Sequence, residues 1–176
     1  DVDWELVERT SYEITGNARM LTPRTRAKTN PSGRITITDN GGGKNTKVGV
    51  SGVQVTANTF LKYASAHTDA KGEYSFDTKF SAKPSYSLCF KNEKGFSIGL
   101  NLIIVPASSS NLGKGEPSGM TYNVTSAEDE TMYRRCVVNN AAYDYFELCT
   151  KKGITPPPSN VRCWIVNFTR PSSSPM

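Results

Sequence analysis

Short runs of alternating apolar and polar residues dominate the middle of the chain, from Gly33 to Thr125. Turn-forming residues separate the runs at intervals of about 8 to 15 positions, which is typical of an all-β sandwich. Ile35 and Ile37 of the first run share one strand face, because successive side chains of a strand point to opposite faces. The pattern predicts seven strands, at residues 34–38, 53–57, 60–68, 73–76, 86–90, 96–105 and 120–124.

Two segments of this region predict loops rather than strands. The glycine-rich residues 39–45 predict a flexible hairpin loop, and residues 107–119, rich in serine and glycine, predict a long surface loop. Gly41 to Thr46 superficially resembles a phosphate-binding loop. It lacks the spacing of that motif and the strand-to-helix context, so we interpret it as a hairpin loop.

The hydrophobic period changes after Thr125, where a helix is predicted at about 127–152. Thr125 or Ser126 can cap it, with Glu128 or Asp129 three positions on. Lys151, Lys152 and Gly153 predict its end, and the prolines at 156–158 prevent continuation. Steps of 100° place four polar residues on one face, namely Asn140, Asp144, Glu147 and Lys151. The apolar arc opposite is predicted to be buried and comprises Val137, Val138, Ala141, Ala142, Tyr145, Phe146, Leu148 and Cys149.

The two ends of the chain have weaker patterns. Residues 1–32 are polar with scattered apolar anchors and predict an extended or partly helical segment that packs Trp4 onto the main body. Residues 161–168 predict a strand with no evident partner in the preceding sheet, which suggests the first strand of a following domain. The predicted organisation is therefore an N-terminal segment at 1–32, a sandwich at 33–125, and a helix, proline-rich loop and strand at 126–176.

Composition removes several classes of function. Of the 176 residues, 21 are Lys or Arg and 16 are Asp or Glu, and the net charge of +5 is spread along the chain, so nucleic acid is not the expected partner. The longest apolar run, Leu100 to Ala107, is interrupted by Asn101 and Pro106 and is too short for a membrane span. The single histidine, His67, excludes metal sites that need several imidazoles.

The four cysteines have no CxxC spacing. Cys136 and Cys149 fall on the predicted helix about 20 Å apart, too far for a disulfide. We expect free thiols that pack as small apolar groups, with a bridge from Cys163 to one helix cysteine as the alternative.

Candidate chemistry is sparse. His67 lies near Ser65 and Ser75, but no spacing supplies the oriented third group that a nucleophilic site needs. Asp69 and Asp77 suit calcium, yet an Asp-x-x-Gly turn uses Asp69 for local hydrogen bonds. We therefore predict no catalytic residue, no metal and no cofactor. The strand aromatics could form a sugar- or peptide-binding face, although such residues are more often core; they are Phe60, Tyr63, Tyr74, Tyr86, Phe96 and Tyr122.

A motif in the second to fourth predicted strands resembles the carboxypeptidase regulatory-like, or transthyretin-like (prealbumin-like), β-sandwich family. The resemblance covers about residues 33–125. It rests on a G-V-x-V strand and a T-D-x-x-G-x-Y/F turn, whose positions here are Gly52, Val53, Val55, Thr68, Asp69, Gly72, Tyr74 and Phe76. It implies a seven-stranded Ig-like fold and an accessory module of exported, cell-surface proteins, with no catalytic residue to transfer. Residues 40–47, 107–119 and everything after Thr125 depart from the family pattern.

Taken with these patterns, the resemblance implies a non-catalytic interaction module at the front of a secreted or cell-surface bacterial protein, whose partner is a neighbouring domain or another protein. One alternative is the N-terminal portion of a secreted, peptidase-like hydrolase with its catalytic residues beyond Met176. Another is a carbohydrate- or peptide-binding module. Four aromatic residues mark the candidate interaction surface, namely Tyr63, Tyr143, Tyr145 and Trp164.

Overall fold

The computed structural model describes residues 2–21, 30–39, 46–99 and 107–165. The predicted strand positions 102–105, most of the loop at 39–45, and residues 166–168 of the last predicted strand lie outside these ranges. The described residues form nine strands in the region where seven were predicted, and a tenth within the separately predicted segment 161–168; the two that were not predicted are β2 and β8. The strands are β1 (Ser32–Asp39), β2 (Thr46–Gly49), β3 (Val53–Asn58), β4 (Tyr63–His67), β5 (Glu73–Ser75), β6 (Ser85–Asn92), β7 (Ser97–Ile98), β8 (Ser109–Lys114), β9 (Tyr122–Val124) and β10 (Arg162–Cys163).

The first sheet is built around β1. The start of β1 pairs antiparallel with β5 and its end pairs antiparallel with β2, while β9 pairs with β1 in parallel, Ile35 opposite Tyr122. Ile35 and Ile37 are buried as their alternation predicts. Thr36, on the other face, bonds Asn123 of β9 through its Oγ1, 2.8 Å from Oδ1.

The second sheet has the order β10, β7, β6, β3, β4, with β8 also paired to β6. The β3 to β4 and β3 to β6 pairs are antiparallel and hold the family-like motif strand in the centre of the sheet. Tyr86, Leu88 and Phe90 of β6 are fully buried, whereas Cys89 is partly exposed on the opposite face, as predicted.

One hydrophobic core joins the two sheets. Its fully buried members come from both, including Ile35 of the first and Val53 and Leu88 of the second. Phe76 lies between Tyr74 and Tyr86, with ring centroids 5.1 and 6.3 Å away. The protein is therefore mainly β, and two mixed sheets around one core are consistent with a β-sandwich.

Two strand predictions were wrong. Residues 109–114, predicted as loop, form β8, in which only Leu112 is buried. Its polar composition hid a strand whose backbone pairs with β6. The last strand was predicted to lack a partner in the preceding sheet, but Arg162 and Cys163 pair in parallel with Ser97 and Ile98.

The described part of the N-terminal segment is partly helical, which is one of the two predicted alternatives. Helix α1 spans Trp4–Ile14 and is followed by a 3-10 turn at Ala18–Met20. Asp3 caps α1 by accepting hydrogen bonds from the N–H groups of Glu5 and Leu6. Trp4 does not pack onto the main body as predicted, since 63% of it is exposed. The buried residues of α1 are instead Glu8 and Tyr12.

Helix α2 spans Glu130–Lys152, three residues shorter at its start than predicted. Asp129 is the cap and accepts a hydrogen bond from the Met132 N–H. Thr125 and Glu128 bond each other as a capping pair would, but in the turn that precedes the helix. Gly153 ends α2 in the left-handed conformation at φ 66°, as predicted.

Neither helix in the described ranges is long and apolar enough to cross a membrane.

Candidate interaction surface

The motif residues of the β3 to β5 region act within the fold. The buried Thr68 hydroxyl donates to the Val50 carbonyl at 2.6 Å and accepts from the Val53 N–H at 3.0 Å. Asp69 Oδ1 accepts from the N–H groups of Lys71 and Glu73, both at 2.8 Å. The Asp69 bonds close the turn between β4 and β5, whereas the Thr68 bonds tie the end of β4 to the start of β3 and the turn before it. Both sets satisfy backbone groups that strand pairing leaves free.

Two glycines of this region permit close approach of other segments. Gly72 has φ 79°, and a Cβ there would lie 2.1 Å from the Ile35 carbonyl oxygen. Gly52 has φ 66°, and a Cβ there would lie 2.8 Å from Tyr143 Cε2 and 2.7 Å from Asn92 Oδ1. Gly52 therefore allows α2 to pack directly on the start of β3.

A buried amide network fixes α2 at this point. Asn92 Nδ2 donates to Asn139 Oδ1 at 2.9 Å and to the Ser51 carbonyl at 2.9 Å. Asn139 Nδ2 donates to the same Ser51 carbonyl at 2.8 Å. The next residue, Asn140, donates to the Gly49 carbonyl at 2.7 Å and accepts from the Ser51 N–H at 3.0 Å. Two adjacent asparagines thus satisfy the backbone of the turn before β3.

Apolar and cationic contacts complete the inward face of α2. Phe146 stacks on Phe96 with centroids 5.4 Å apart. Lys94 lies 5.1 Å from the centroid of the Tyr143 ring and 2.5 Å from Glu147 Oε1, and the bond to Glu147 raises the pKa of Lys94. The buried side chains of this face are Met132, Cys136, Asn139, Tyr143, Phe146 and Cys149.

The apolar arc of α2 was predicted to be buried, and this was wrong for four of its eight residues. Asn139 and Asn140 turn toward the sheets because they find hydrogen-bond partners there, so part of the apolar arc points outward. Val137 is 37% exposed, Tyr145 54% and Leu148 49%. A helical wheel treats every polar residue as outward-facing, although a polar side chain can be buried when it is hydrogen-bonded. The signal for an inward polar face was the pair of consecutive asparagines in mid-helix, because asparagine is a poor helix former.

Seven of the exposed residues of α2 form one narrow stripe. At 100° per residue, all of its members lie within about 40° of Ala141 around the helix axis. All seven are exposed, and we call them the outer α2 face: Glu130, Arg134, Val137, Ala141, Tyr145, Leu148 and Lys152. Glu130 and Arg134 form an ion pair four positions apart on the helix, with Glu130 Oε1 2.5 Å from a guanidinium nitrogen of Arg134. The centre of the face is apolar and its two ends are charged.

The four predicted surface aromatics separate into two groups. Tyr63, Tyr145 and Trp164 are exposed, each by more than half. Tyr143 is buried against Gly52 and Lys94, and this burial raises its pKa, so its assignment to the surface was wrong. The three exposed residues lie on β4, on α2 and after β10, and only Tyr145 belongs to the outer α2 face.

The predicted row of strand aromatics does not form. Tyr74, Tyr86 and Phe96 are core residues. Burial raises the pKa of Tyr74 to about 12, while its hydroxyl bonds the Met120 backbone at 2.8 Å. Of the six aromatics only Phe60 and Tyr63 are strongly exposed, both beside the β3 to β4 turn. A flat stacking platform for a sugar is absent from the positions predicted for it.

His67 lines an open cleft of about 670 Å³. The cleft brings His67 and Ser75 to one surface, as the acid-base interpretation of the sequence would need, together with Arg34 and several carboxylates. One oxygen of the Asp69 carboxylate already accepts two hydrogen bonds from its own turn. The lining residues are Ser32, Gly33, Arg34, His67, Thr68, Asp69, Glu73, Tyr74, Ser75 and Glu93. No cluster of three or more potential metal ligands occurs in the described ranges.

All four cysteines are free, so the bridge from Cys163 to the helix does not form. Cys136 is fully buried, and desolvation raises the pKa of its thiol well above the ordinary value. A thiol kept protonated by burial is a weak nucleophile, which fits packing rather than chemistry.

Helix α1 also directs apolar side chains outward. Its buried Glu8 lies 2.9 Å from Lys62 Nζ and accepts a hydrogen bond from the Thr59 hydroxyl at 3.1 Å. These contacts fix α1 to the turn between β3 and β4. Exposed apolar residues of the helix and the turn are Trp4, Leu6, Val7, Ile14, Phe60 and Leu61.

Comparison with known proteins finds no match: no protein-family model fits the chain, and no curated protein or solved structure is significantly similar to it.

Proposed function

We propose that this chain is a non-catalytic accessory module that contacts another protein through the outer α2 face. The observation that carries the proposal is the division of α2 into two faces. Its inward face is anchored by Asn139, Asn140 and aromatic packing, while Val137, Tyr145 and Leu148 stay exposed along the opposite side. An aligned apolar stripe that the described residues leave exposed is typical of a docking surface.

The proposal includes the carboxypeptidase regulatory-like, prealbumin-like fold and a place in a secreted or cell-surface bacterial protein. The fold assignment is supported by the structural use of its motif residues. Asp69 and Gly72 are committed to the turn that joins β4 and β5, and Thr68 ties the end of β4 to the turn before β3. Residues used in this way maintain a scaffold, and the scaffold positions α2 through Gly52.

The cleft at His67 supports a second candidate function, binding of a peptide with both charge signs. Arg34 lies there with Asp69, Glu73 and Glu93. Arg34→Ala is expected to weaken binding of a mixed-charge peptide library at least 10-fold. Equal binding by the wild type and the variant, or no binding by either, would exclude this role.

The principal proposal is tested by replacing Tyr145 with the photo-cross-linker benzoylphenylalanine in the cells that make the protein. Lys114, exposed on β8, is the control position. We expect adducts with a polypeptide, identified by mass spectrometry, at position 145 and none at 114. No adduct at 145, or equal yields at the two positions, would contradict an interaction role for this face.

A further inference from the structure

We propose that the partner of the outer α2 face is a second copy of this chain, bound with the two α2 helices antiparallel and a two-fold axis at Ala141. The inference rests on the proposed function of this face and specifies its partner. It is carried by the chemistry of the residues along the face, which is self-complementary about its centre.

The spacing of the outer α2 face is the same in both directions. From Ala141 the next members lie four, seven and eleven positions away on either side. In a two-fold antiparallel pair, residues at equal distances from the axis face each other, because an isologous interface pairs each position with its counterpart. The pairs are Val137 with Tyr145, Arg134 with Leu148, and Glu130 with Lys152.

The chemistry of these pairs is complementary. Glu130, which pairs with Arg134 in its own helix, would also meet Lys152 of the second copy at each end, so opposite charges face each other twice in the dimer. Val137 would pack on Tyr145, and the aliphatic stem of Arg134 on Leu148. The antiparallel arrangement also sets the positive N-terminal end of one helix beside the negative C-terminal end of the other.

Ala141 suits the point of closest approach. The distance between two packed helix axes depends on the side chains at the crossing, and alanine is the smallest that keeps full helix propensity. Exposed alanine at the centre lets the larger apolar side chains on both sides reach the partner helix. A face of seven residues on a helix about 34 Å long predicts a small interface and micromolar association.

The test is sedimentation velocity of the full chain over about 1 to 500 µM. We expect the wild type to dimerise and Ala141→Glu, which sets two like charges against each other at the axis, to weaken association at least 10-fold. Thr131→Glu adds the same charge to a position about 80° away around α2 and is expected to dimerise like the wild type. Circular dichroism checks that both variants are folded.

A compensating pair tests the register. Val137→Glu and Tyr145→Lys each place one charge opposite an apolar residue and should weaken the dimer. The double variant places Glu opposite Lys in both halves of the dimer. It should therefore dimerise at least 10-fold more tightly than the single variant that dimerises less well. A wild type that stays monomeric to 500 µM, or a dimer that Ala141→Glu leaves intact, would overturn the inference. Photo-adducts of position 145 with a different polypeptide, from a monomeric chain, would overturn the dimer but leave the proposed function standing.

Discussion

The two helices are attached to the sheets in different ways. Helix α1 is fixed by Glu8, whose carboxylate bonds Lys62 and Thr59, and by Tyr12, its only other buried residue. Helix α2 buries six side chains and adds an amide network in which Asn92, Asn139 and Asn140 bond one another or the backbone at 49–51. Both helices nevertheless leave apolar side chains in solvent.

The difference shows that an outward apolar face has different meaning on the two helices. On α2 the inward face is extensive, so the helix is held rigidly whatever covers the other side. On α1 the attachment depends on the contacts of Glu8 and on buried Tyr12, so the helix is expected to open locally at a low free-energy cost. A rigid face can bind a partner without a loss of conformational entropy, and we therefore assign the docking function to α2.

The largest expected effect comes from removing the amide network. Asn139→Ala deletes the partner of Asn92 and a donor to Ser51, both buried, and should lower the free energy of unfolding by about 3 kcal/mol. Asn140→Ala, at a half-buried position, is expected to cost about half as much. Urea denaturation measures both, and an effect of Asn139→Ala below about 1 kcal/mol would contradict the anchoring role of the network.

A smaller and local effect is expected at α1. Glu8→Ala removes the contact with Lys62 and Thr59, and the amides of α1 should then exchange at least 10-fold faster. The free energy of global unfolding should change by less than about 1 kcal/mol, because the core of the sheets is untouched. Glu13→Ala, exposed on the same helix, is the control for helix propensity. If the amides of the sheets exchanged faster by the same factor as those of α1, the two would unfold as one unit, and the prediction of local opening would be wrong.

The smallest expected effect is a pH dependence at α2. The bond to Glu147 raises the pKa of Lys94 above its ordinary 10.5, so the folded state holds this proton more tightly than the unfolded chain. The resulting stability is fully present below 10.5 and is lost as pH rises through the raised pKa. Because the pair is partly exposed, the wild type should lose about 0.5 kcal/mol or less beyond what Lys94→Met loses over that range. Parallel pH profiles of the two proteins would show that the Lys94 bond does not stabilise α2.

Much of the sheet structure could be predicted from the sequence, because β-branched and aromatic alternation is a local signal. The alternation of Ile35 with Ile37, and of Tyr86 with Leu88, predicts a buried strand face from neighbouring residues alone. Strand β8 could not be found in this way, since its residues contribute backbone pairing to β6 and only Leu112 to the core.

The limits of α2 were nearly predictable, while its orientation was not. Asp129 acts through a bond to the nearby backbone and Gly153 through its local conformation. Which face is inward depends on Ser51 and Asn92, which lie about 90 and 50 positions earlier in the chain and supply partners for Asn139. The candidate surface could therefore not be predicted from the helix sequence, because its position depends on the hydrogen bonds that hold Asn139 and Asn140 against the sheets.

Oxidative cross-linking of Ala141→Cys tests most directly whether the outer α2 faces of two copies meet at Ala141. A residue on a two-fold axis faces its own copy, so this variant should form a disulfide-linked dimer through the introduced thiol. Lys151→Cys, ten positions along the same helix, would place the two thiols about 30 Å apart and should not cross-link with itself. The wild type shows the background from the four native cysteines. A linked peptide joining position 141 to itself is the predicted result, and equal linkage at 141 and 151, or none at 141, would contradict the two-fold pairing.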